Sequence, residues 1–349
     1  MTDGLRVAIH WISPTTYLRA CVDALVASNP GAEVALTFTA VNDRDTDYDE
    51  SHVMPARCSI AVLDSRNDFA PLRRFRDDPF ALHIFSGRNI PAYRRLAHSL
   101  SGRAKRAFVT DHPIIPGKKL IARILWFRTV GRDYFDYAFV TGDRQAAHAF
   151  ALGFHPADVW IGAYAAALPR QLPTTAKRDA FVFVGRLVKE KGVSQLAEGY
   201  ALYRERVGAA AWSLVVIGIG PLASELARID GVSMRGFVDP PQVWTEMLAA
   251  RAMVLPSLFE PWGVVLHEAA LACLPLVASA QCGAGGHLLR DGWNGWILPA
   301  VTPGAIAEML CGVHESTDLL GEMGQRSGIL ARQFTPEQWA ATVLRMARR

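Results

Sequence analysis

The sequence predicts an α/β protein built as two parallel-sheet domains, and three observations carry that expectation. Short apolar runs alternate with helical patterns along almost the whole chain, which is the signature of βαβ units. The 349 residues are too many for one ordinary core and suit two domains of roughly 150 to 170 residues. A stretch rich in Pro, Thr and charge, LPRQLPTTAKRD at 168–179, separates two series of apolar runs and is the best linker.

The first series reads as strands at 6–12 (RVAIHWI), 33–40 (EVALTFTA), 58–64 (CSIAVLD), 80–85 (FALHIF), 106–110 (RAFVT) and 137–142 (YAFVTG). The second begins at 180–187 (AFVFVGRL) and continues at 212–220 (WSLVVIGIG), 231–237 (GVSMRGF), 252–257 (AMVLPS), 274–279 (LPLVAS) and 295–299 (GWILP). Residues 1–170 and 171–333 are therefore expected to form one domain each. The final stretch, 334–349, reads as a helix opened by Thr335 and Pro336, whose packing partner the sequence leaves open, the first domain being one choice.

Composition narrows the function classes. Half of the chain is apolar and a fifth is charged, as in ordinary globular proteins. The five cysteines (Cys21, Cys58, Cys273, Cys282, Cys311) are scattered, with no CxxC or Cys/His cluster, so a structural zinc site is not expected and a reducing compartment is. The start, MTDGLRVAIHW, lacks the basic segment and apolar run of a signal peptide, and no run of about 18 apolar residues escapes a charge or a proline. The expected location is cytoplasmic. The acidic run NDRDTDYDE (42–50) contains a DxD spacing, read as a solvated loop; no metal is expected.

Charge is unevenly placed. Residues 1–172 carry 21 Lys/Arg against 17 Asp/Glu, whereas the remainder carries 16 of each. Within 88–132, eleven cations (Arg88, Arg94, Arg95, Arg103, Lys105, Arg106, Lys118, Lys119, Arg123, Arg128, Arg132) face Asp111 alone, which calls for an anionic neighbour. Leu120, Ile124 and Phe127 recur there at helical spacing among the cations, which suits a helix lying on an anionic membrane surface. The alternative is a half-buried helix with a solvated basic face. No nucleic-acid motif accompanies the charge, so nucleic acid is not an expected partner.

The second half offers an anionic ligand several groups at strand ends. Arg186 and Lys191 follow the strand ending at Gly185, and two fixed cations at that edge suit a diphosphate. Gly218, Gly220 and Pro221 follow the next strand, where backbone and ligand can come close. The segment LFEPWGVVLHEAALA then turns at Pro261 and starts a helix near Gly263. The amides of Gly263, Val264 and Val265 at that helix start favour a phosphate. Glu268, in the second turn, needs a partner if buried, and ribose hydroxyls are one; Glu260 precedes the helix and would meet what lies beyond the phosphates.

Taken together, the GR-x4-K pattern at 185–191, GxGP, RGFV (235–238), PSLFEPWGVVLHEA with its E-x7-E spacing, and GAGGHLLRDGWNGWILP (283–299) closely resemble retaining glycosyltransferases of family 4. The resemblance is dense over 180–300 and looser before it. It implies the GT-B fold, two Rossmann-like domains whose parallel sheets face across a cleft. It implies that Arg186 and Lys191 hold the diphosphate of a UDP- or GDP-sugar, with Gly263, Val264 and Val265 completing the phosphate site. It further implies that Glu268 binds the ribose, that Glu260 binds the donor sugar, and that the backbone near Phe237 meets the base. The acceptor implied is a glycan or lipid-linked oligosaccharide, handled by a peripheral enzyme on the inner face of the cell membrane. His112, after the strand at 106–110, matches the family's histidine, with Asp111, His10 and His83 as alternatives. Two departures stand out: HWISPTTYL (10–18) lacks the family's glycine pair, which puts acceptor contacts there in doubt, and Leu274 replaces the glycine that commonly follows the cysteine. A sugar-nucleotide 2-epimerase and a non-catalytic partner protein of the same fold are the alternative functions.

Overall fold

The computed structural model describes residues 4–39, 55, 58–87, 89–115, 117, 120–169 and 171–349, without the side chains of Arg123 and Arg132. The acidic run at 42–50, Arg88, Lys118 and Lys119 lie outside the described residues. The chain divides into two compact units, Met1–Ala166 with Phe334–Arg349, and Ala167–Gln333.

In the first unit the strands are β1 (Arg6–His10), β2 (Glu33–Thr39), β3 (Ser59–Leu63), β4 (Leu82–Phe85), β5 (Lys105–Thr110), β6 (Tyr137–Val140) and β7 (Val159–Ile161). The helices between them are α1 (Thr16–Ser28), α2 (Arg73–Asp77), α3 (Pro91–Ser99), α4 (Leu120–Thr129) and α5 (Asp143–Ala151). Among the described residues the sheet has seven strands in the order β3-β2-β1-β4-β5-β6-β7, paired in parallel throughout. Its strands read as continuous apolar runs because helices cover both faces. Val7 and Ile9 enter one core with Leu18 and Leu25 of α1, while Ala8 enters another with Tyr93 of α3 and Phe127 of α4.

The second unit carries β8 (Ala180–Val184), β9 (Ser213–Ile217), β10 (Val232–Gly236), β11 (Ala252–Leu255), β12 (Leu276–Ser279) and β13 (Gly295–Leu298). Its helices are α6 (Val193–Val207), α7 (Ala223–Ala227), α8 (Pro240–Ala249), α9 (Val264–Leu271), α10 (Gly285–Leu288), α11 (Pro303–Glu315) and α12 (Leu320–Ala331). The order β10-β9-β8-β11-β12-β13 is again all parallel. The chain builds outward from β8 to β10, then crosses back and lays β11 against β8. That reversal opens a crevice at the carboxyl ends of β8 and β11, where open α/β sheets bind ligands.

The last helix, α13 (Pro336–Arg348), belongs to the first unit. Thr335 caps it in a reciprocal capping box with Gln338, and Trp339 donates from Nε1 to Ala163 O at 3.1 Å. The helix packs along α1.

Two expectations need correction. The strand β7 escaped the sequence reading; it is a three-residue edge strand, too short for a periodic signal. The stripe Leu120, Ile124 and Phe127 does not face outward. Phe127 is 2% exposed within the core and Ile124 packs against that core, because α4 docks this face on the sheet. The outward face carries Ile121, 72% exposed, together with exposed Leu125, Trp126 and, just beyond the helix, Val130.

Candidate functional site

The loops at the crevice of the second sheet are tied to one another by the backbone. After β8 the chain passes Gly185 and exposed Arg186 and closes a single turn at Lys189–Lys191. Gly218 allows the loop after β9 to press against it: its φ is +139°, and a Cβ there would lie 1.9 Å from Gly185 O. From the β11 side, Phe259 N donates to Glu190 O at 3.0 Å, so the loops after β8 and β11 meet across the reversal point. Gly283 N donates to Glu260 O at 3.0 Å and Ala284 N to Trp262 O at 2.8 Å, which pins the Glu260 turn from the β12 side.

This framing brings Lys191 and Glu260 together. The Lys191 ammonium forms an ion pair with Glu260 Oε2, and the Glu260 residue is only 8% exposed. The sequence reading gave the two residues separate tasks, one on phosphate and one on sugar. The structure shows them joined, one from each side of the crevice.

Immediately beyond Glu260, Gly263 takes φ +91° and opens α9. A side chain there would put Cβ 3.0 Å from both Cys282 Sγ and Glu260 Cγ, so those side chains would have to give by a few tenths of an ångström and the left-handed backbone would be strained. No side chain caps α9, and the start of the helix at Gly263, Val264 and Val265 presents its amides at the crevice. The helix dipole adds partial positive charge at the same place. Uncapped amides at a helix start favour anions in general, and here an exposed cation, Arg186, and a paired one, Lys191, lie at the same sheet edge.

Glu268 sits one turn further along. Among the described residues its carboxylate has no hydrogen-bond or ion-pair partner, and desolvation alone pushes its carboxyl up to about 7, although the residue keeps a partly exposed face. The helix is held on its other side by His267, which burial lowers to about 4 and which therefore donates, neutral, to Ala331 O of α12 at 2.9 Å. An unpartnered, half-sunk carboxylate beside that helix start suits donors arriving on a ligand, such as vicinal hydroxyls. Phe237, half-exposed, follows β10, whose last residue Gly236 accepts from Gly218 N at 2.7 Å. The crevice thus gathers Arg186, Lys191, Gly218, Glu260, Gly263, Val264, Val265 and Glu268 along one sheet edge, with Phe237 at the neighbouring strand end.

His112 lies in the first unit, after β5, with 58% of its side chain exposed. Its Nε2 is 3.8 Å from Asp111 Oδ1, and the Asp111 carboxylate also engages the Tyr164 hydroxyl. His10 and His83 are different in kind. Both are fully buried, and their nitrogens form a closed relay: Phe80 N donates to His83 Nε2 at 3.1 Å, His83 Nδ1 donates to His10 Nε2 at 3.0 Å, and His10 Nδ1 donates to Thr37 Oγ1 at 2.8 Å. That direction is forced, because the amide can only donate. Desolvation lowers His83 to about 3 and His10 well below its usual range, so both remain neutral core residues. Thr15, in the loop that departs from the family pattern, caps α1 by accepting from Leu18 N.

The basic stretch is less free than its count suggests. Arg106 is buried and forms a bidentate pair with Asp136, while Arg103 and Arg128 donate to the Arg76 and Ala151 carbonyls. Sequence reasoning counted Gly283 and Ala284 within a motif without giving them a task behind Glu260, and it missed Cys282 beside them and Gln145 and His148 of α5 beside His112. The short bridge between Glu260 and Cys282 follows from tertiary pairing that no local pattern announces. Among the described residues there is no His/Cys/Asp/Glu cluster with metal-binding geometry, and no helix is long and apolar enough to cross a membrane.

Comparison with known proteins agrees with this geometry. Residues 166–327 match the model of the family described as glycosyl transferases group 1. The D-inositol 3-phosphate glycosyltransferase of Streptomyces coelicolor is 33% identical over 125 residues, covering 36% of this chain and 27% of that protein. The enzyme of the same name from Streptomyces scabiei is 32% identical over 197 residues, covering 52% of this chain and 42% of that protein. The chain thus spans less than half the length of these curated relatives. Anabaena Alr3699/HepE, solved in complex with UDP and glucose, superposes with a TM-score of 0.74 at 14% identity, covering 98% of each chain. The chain therefore has the GT-B fold, and its residues 166–327 are similar to the glycosyl transferases group 1 family.

Proposed function

We propose that the protein is a retaining glycosyltransferase that moves a sugar from a UDP- or GDP-sugar to a glycan or lipid-linked acceptor. One observation carries the reading: the Lys191–Glu260 pair straddles the reversal point of the second sheet, in front of the uncapped start of α9. The HepE structure, a complex with UDP and glucose on the same fold, supports a nucleotide-sugar donor.

In this reading the diphosphate settles on the amides of Gly263, Val264 and Val265, with Arg186 and Lys191 as counter-charges. Lys191 turns from Glu260 to phosphate, and Glu260 is released to accept from sugar hydroxyls. Glu268 accepts from the ribose, and the backbone at Phe237 and Gly218 meets the base and its ribose. As the leaving diphosphate departs, negative charge grows while the sugar becomes oxocarbenium-like, and groups already fixed in place stabilise that charge without reorganising. His112 serves the reacting sugar or the acceptor. Retention follows the E-x7-E resemblance, with the departing phosphate taking the acceptor proton.

The exposed face of α4 supports a place of action. Ile121, Leu125, Trp126 and Val130 form an apolar surface on a helix set in the basic stretch, and an anionic bilayer complements both features. The protein then works on lipid-linked acceptors from the inner membrane face.

The test is a screen of UDP-, GDP- and ADP-sugars for binding and slow hydrolysis, with Lys191→Ala and Glu268→Ala as controls. Turnover of one donor to free sugar and nucleoside diphosphate, lost in both variants, is the expected result. Donor epimerised without hydrolysis would make the protein an epimerase. No binding of any nucleotide would make it a non-catalytic relative.

A further inference from the structure

The loop that presents His112 is held by a device in α5, and we infer that Gln145 and His148 are positioning residues for His112 in transfer. The inference rests on the role given to His112 above. The β5–β6 ladder ends at Thr110 paired with Val140, so the carbonyls of Asp111 and His112 have no strand to bond. Two side chains one helical turn apart take the place of that strand. Gln145 Nε2 donates to Asp111 O at 2.9 Å, and His148 Nδ1 donates to His112 O at 2.8 Å. Since a carbonyl only accepts, the proton of His148 is fixed on Nδ1.

Both side chains are buried, at 0% and 1% exposure, on a helix whose other buried residues are small and apolar. Burying an amide and an imidazole there costs free energy unless each makes its bond, and a leucine would fill the same space without that cost. What the polar pair adds is direction. With His112 N donating to Thr110 Oγ1 at 3.2 Å, the backbone of His112 is tied at both its amide and its carbonyl, while its ring stays exposed. The backbone is fixed and the side chain is presented. The device acts on the orientation of His112, whereas the nucleotide crevice is built entirely from residues of the other unit.

The test is a cycle of four proteins, wild type, His112→Ala, His148→Leu and the double variant, assayed with the donor found above. The further variant His148→Asn keeps a donor close to the Nδ1 position. The expected result is a fall in kcat of about 10- to 100-fold for His148→Leu, as for a misplaced reacting group, with the donor KM unchanged. His148→Asn recovers most of that loss, and His148→Leu costs nothing further once His112 is alanine. Gln145→Leu behaves like His148→Leu, and thermal unfolding establishes that each variant is folded at the assay temperature. The inference is overturned if His112→Ala is impaired but His148→Leu is not, or if the two losses add in full. If His112→Ala retains full activity, the role of His112 itself is wrong and the positioning falls with it. The two failures are distinguished by the His112→Ala protein alone.

Discussion

Replacing Lys191 with methionine separates the two tasks that the structure gives this residue. In the unliganded protein it neutralises Glu260, which is only 8% exposed. Removing one member of such a pair strands the other charge and costs about 3–5 kcal/mol. For a unit of this size each kcal/mol moves the midpoint by about 2–4 °C, so Lys191→Met is expected to unfold roughly 6–20 °C below wild type. The second task is electrostatic. A cation about 4 Å from the leaving phosphate, at an effective dielectric near 20, is worth about 4 kcal/mol. That corresponds to about a thousandfold in kcat at 1.36 kcal/mol per decade. Adding Glu260→Gln to Lys191→Met removes the stranded charge, so the double variant regains most of the lost midpoint and none of the lost activity. Thermal unfolding and donor hydrolysis on the three proteins measure both effects. Hydrolysis by Lys191→Met within threefold of wild type, or a double variant as unstable as the single one, would refute the reasoning.

The other expectations concern single features. Glu268 carries its proton up to about pH 7 in the folded protein, against 4.5 for an ordinary glutamate. UDP-glucose affinity is therefore expected to weaken as pH falls through 7, where the carboxylate loses an acceptor site, and Glu268→Gln flattens that dependence in calorimetry. The same raised carboxyl implies that the unfolded chain releases this proton first as pH rises from about 4.5 to 7. Native stability then loses that contribution over this window, and Glu268→Gln gains midpoint over wild type at pH 8 but not at pH 4. Gly263→Ala forces a side chain into a left-handed position at a cost of about 1–2 kcal/mol and against Glu260 Cγ, so donor affinity drops at least about tenfold in calorimetry. Ile121→Asp with Trp126→Ala is expected to abolish sedimentation with phosphatidylglycerol vesicles while leaving donor hydrolysis unchanged; wild-type sedimentation of that variant would refute the membrane face of α4.

Much of the fold was legible because buried parallel strands are written as unbroken apolar runs. RVAIH, AFVFV and AMVL are each too short for a helix and bounded by turn residues, and each is a strand. The edge strand β7 lacked that signal, since VWI is short and only partly buried. The residues of the crevice were legible for a related reason. In a parallel sheet the carboxyl ends all point one way, so Arg186, Gly218, Glu260 and Gly263, each found just after an apolar run, had to share one edge.

What stayed hidden is whatever depends on partners distant along the chain. Glu260 and Lys191 are 69 positions apart, and their pairing depends on Phe259 N reaching Glu190 O across the sheet reversal. No periodicity encodes that register. The helix α4 hid its orientation because LIARILWFRT is apolar on two faces. Leu120, Ile124 and Phe127 make one stripe at helical spacing, and Ile121 and Leu125 make another, so only the docking of Phe127 against Phe108 decides which stripe is solvated. Gln145 and His148 illustrate the opposite ambiguity. Polar residues one turn apart on a short helix read as a solvated face, yet here the unpaired carbonyls after β5 draw them inward. Polarity in a sequence reports a need for hydrogen bonds, and water is only one way to meet it; in this protein the ends of parallel strands, where ladders stop, are the other.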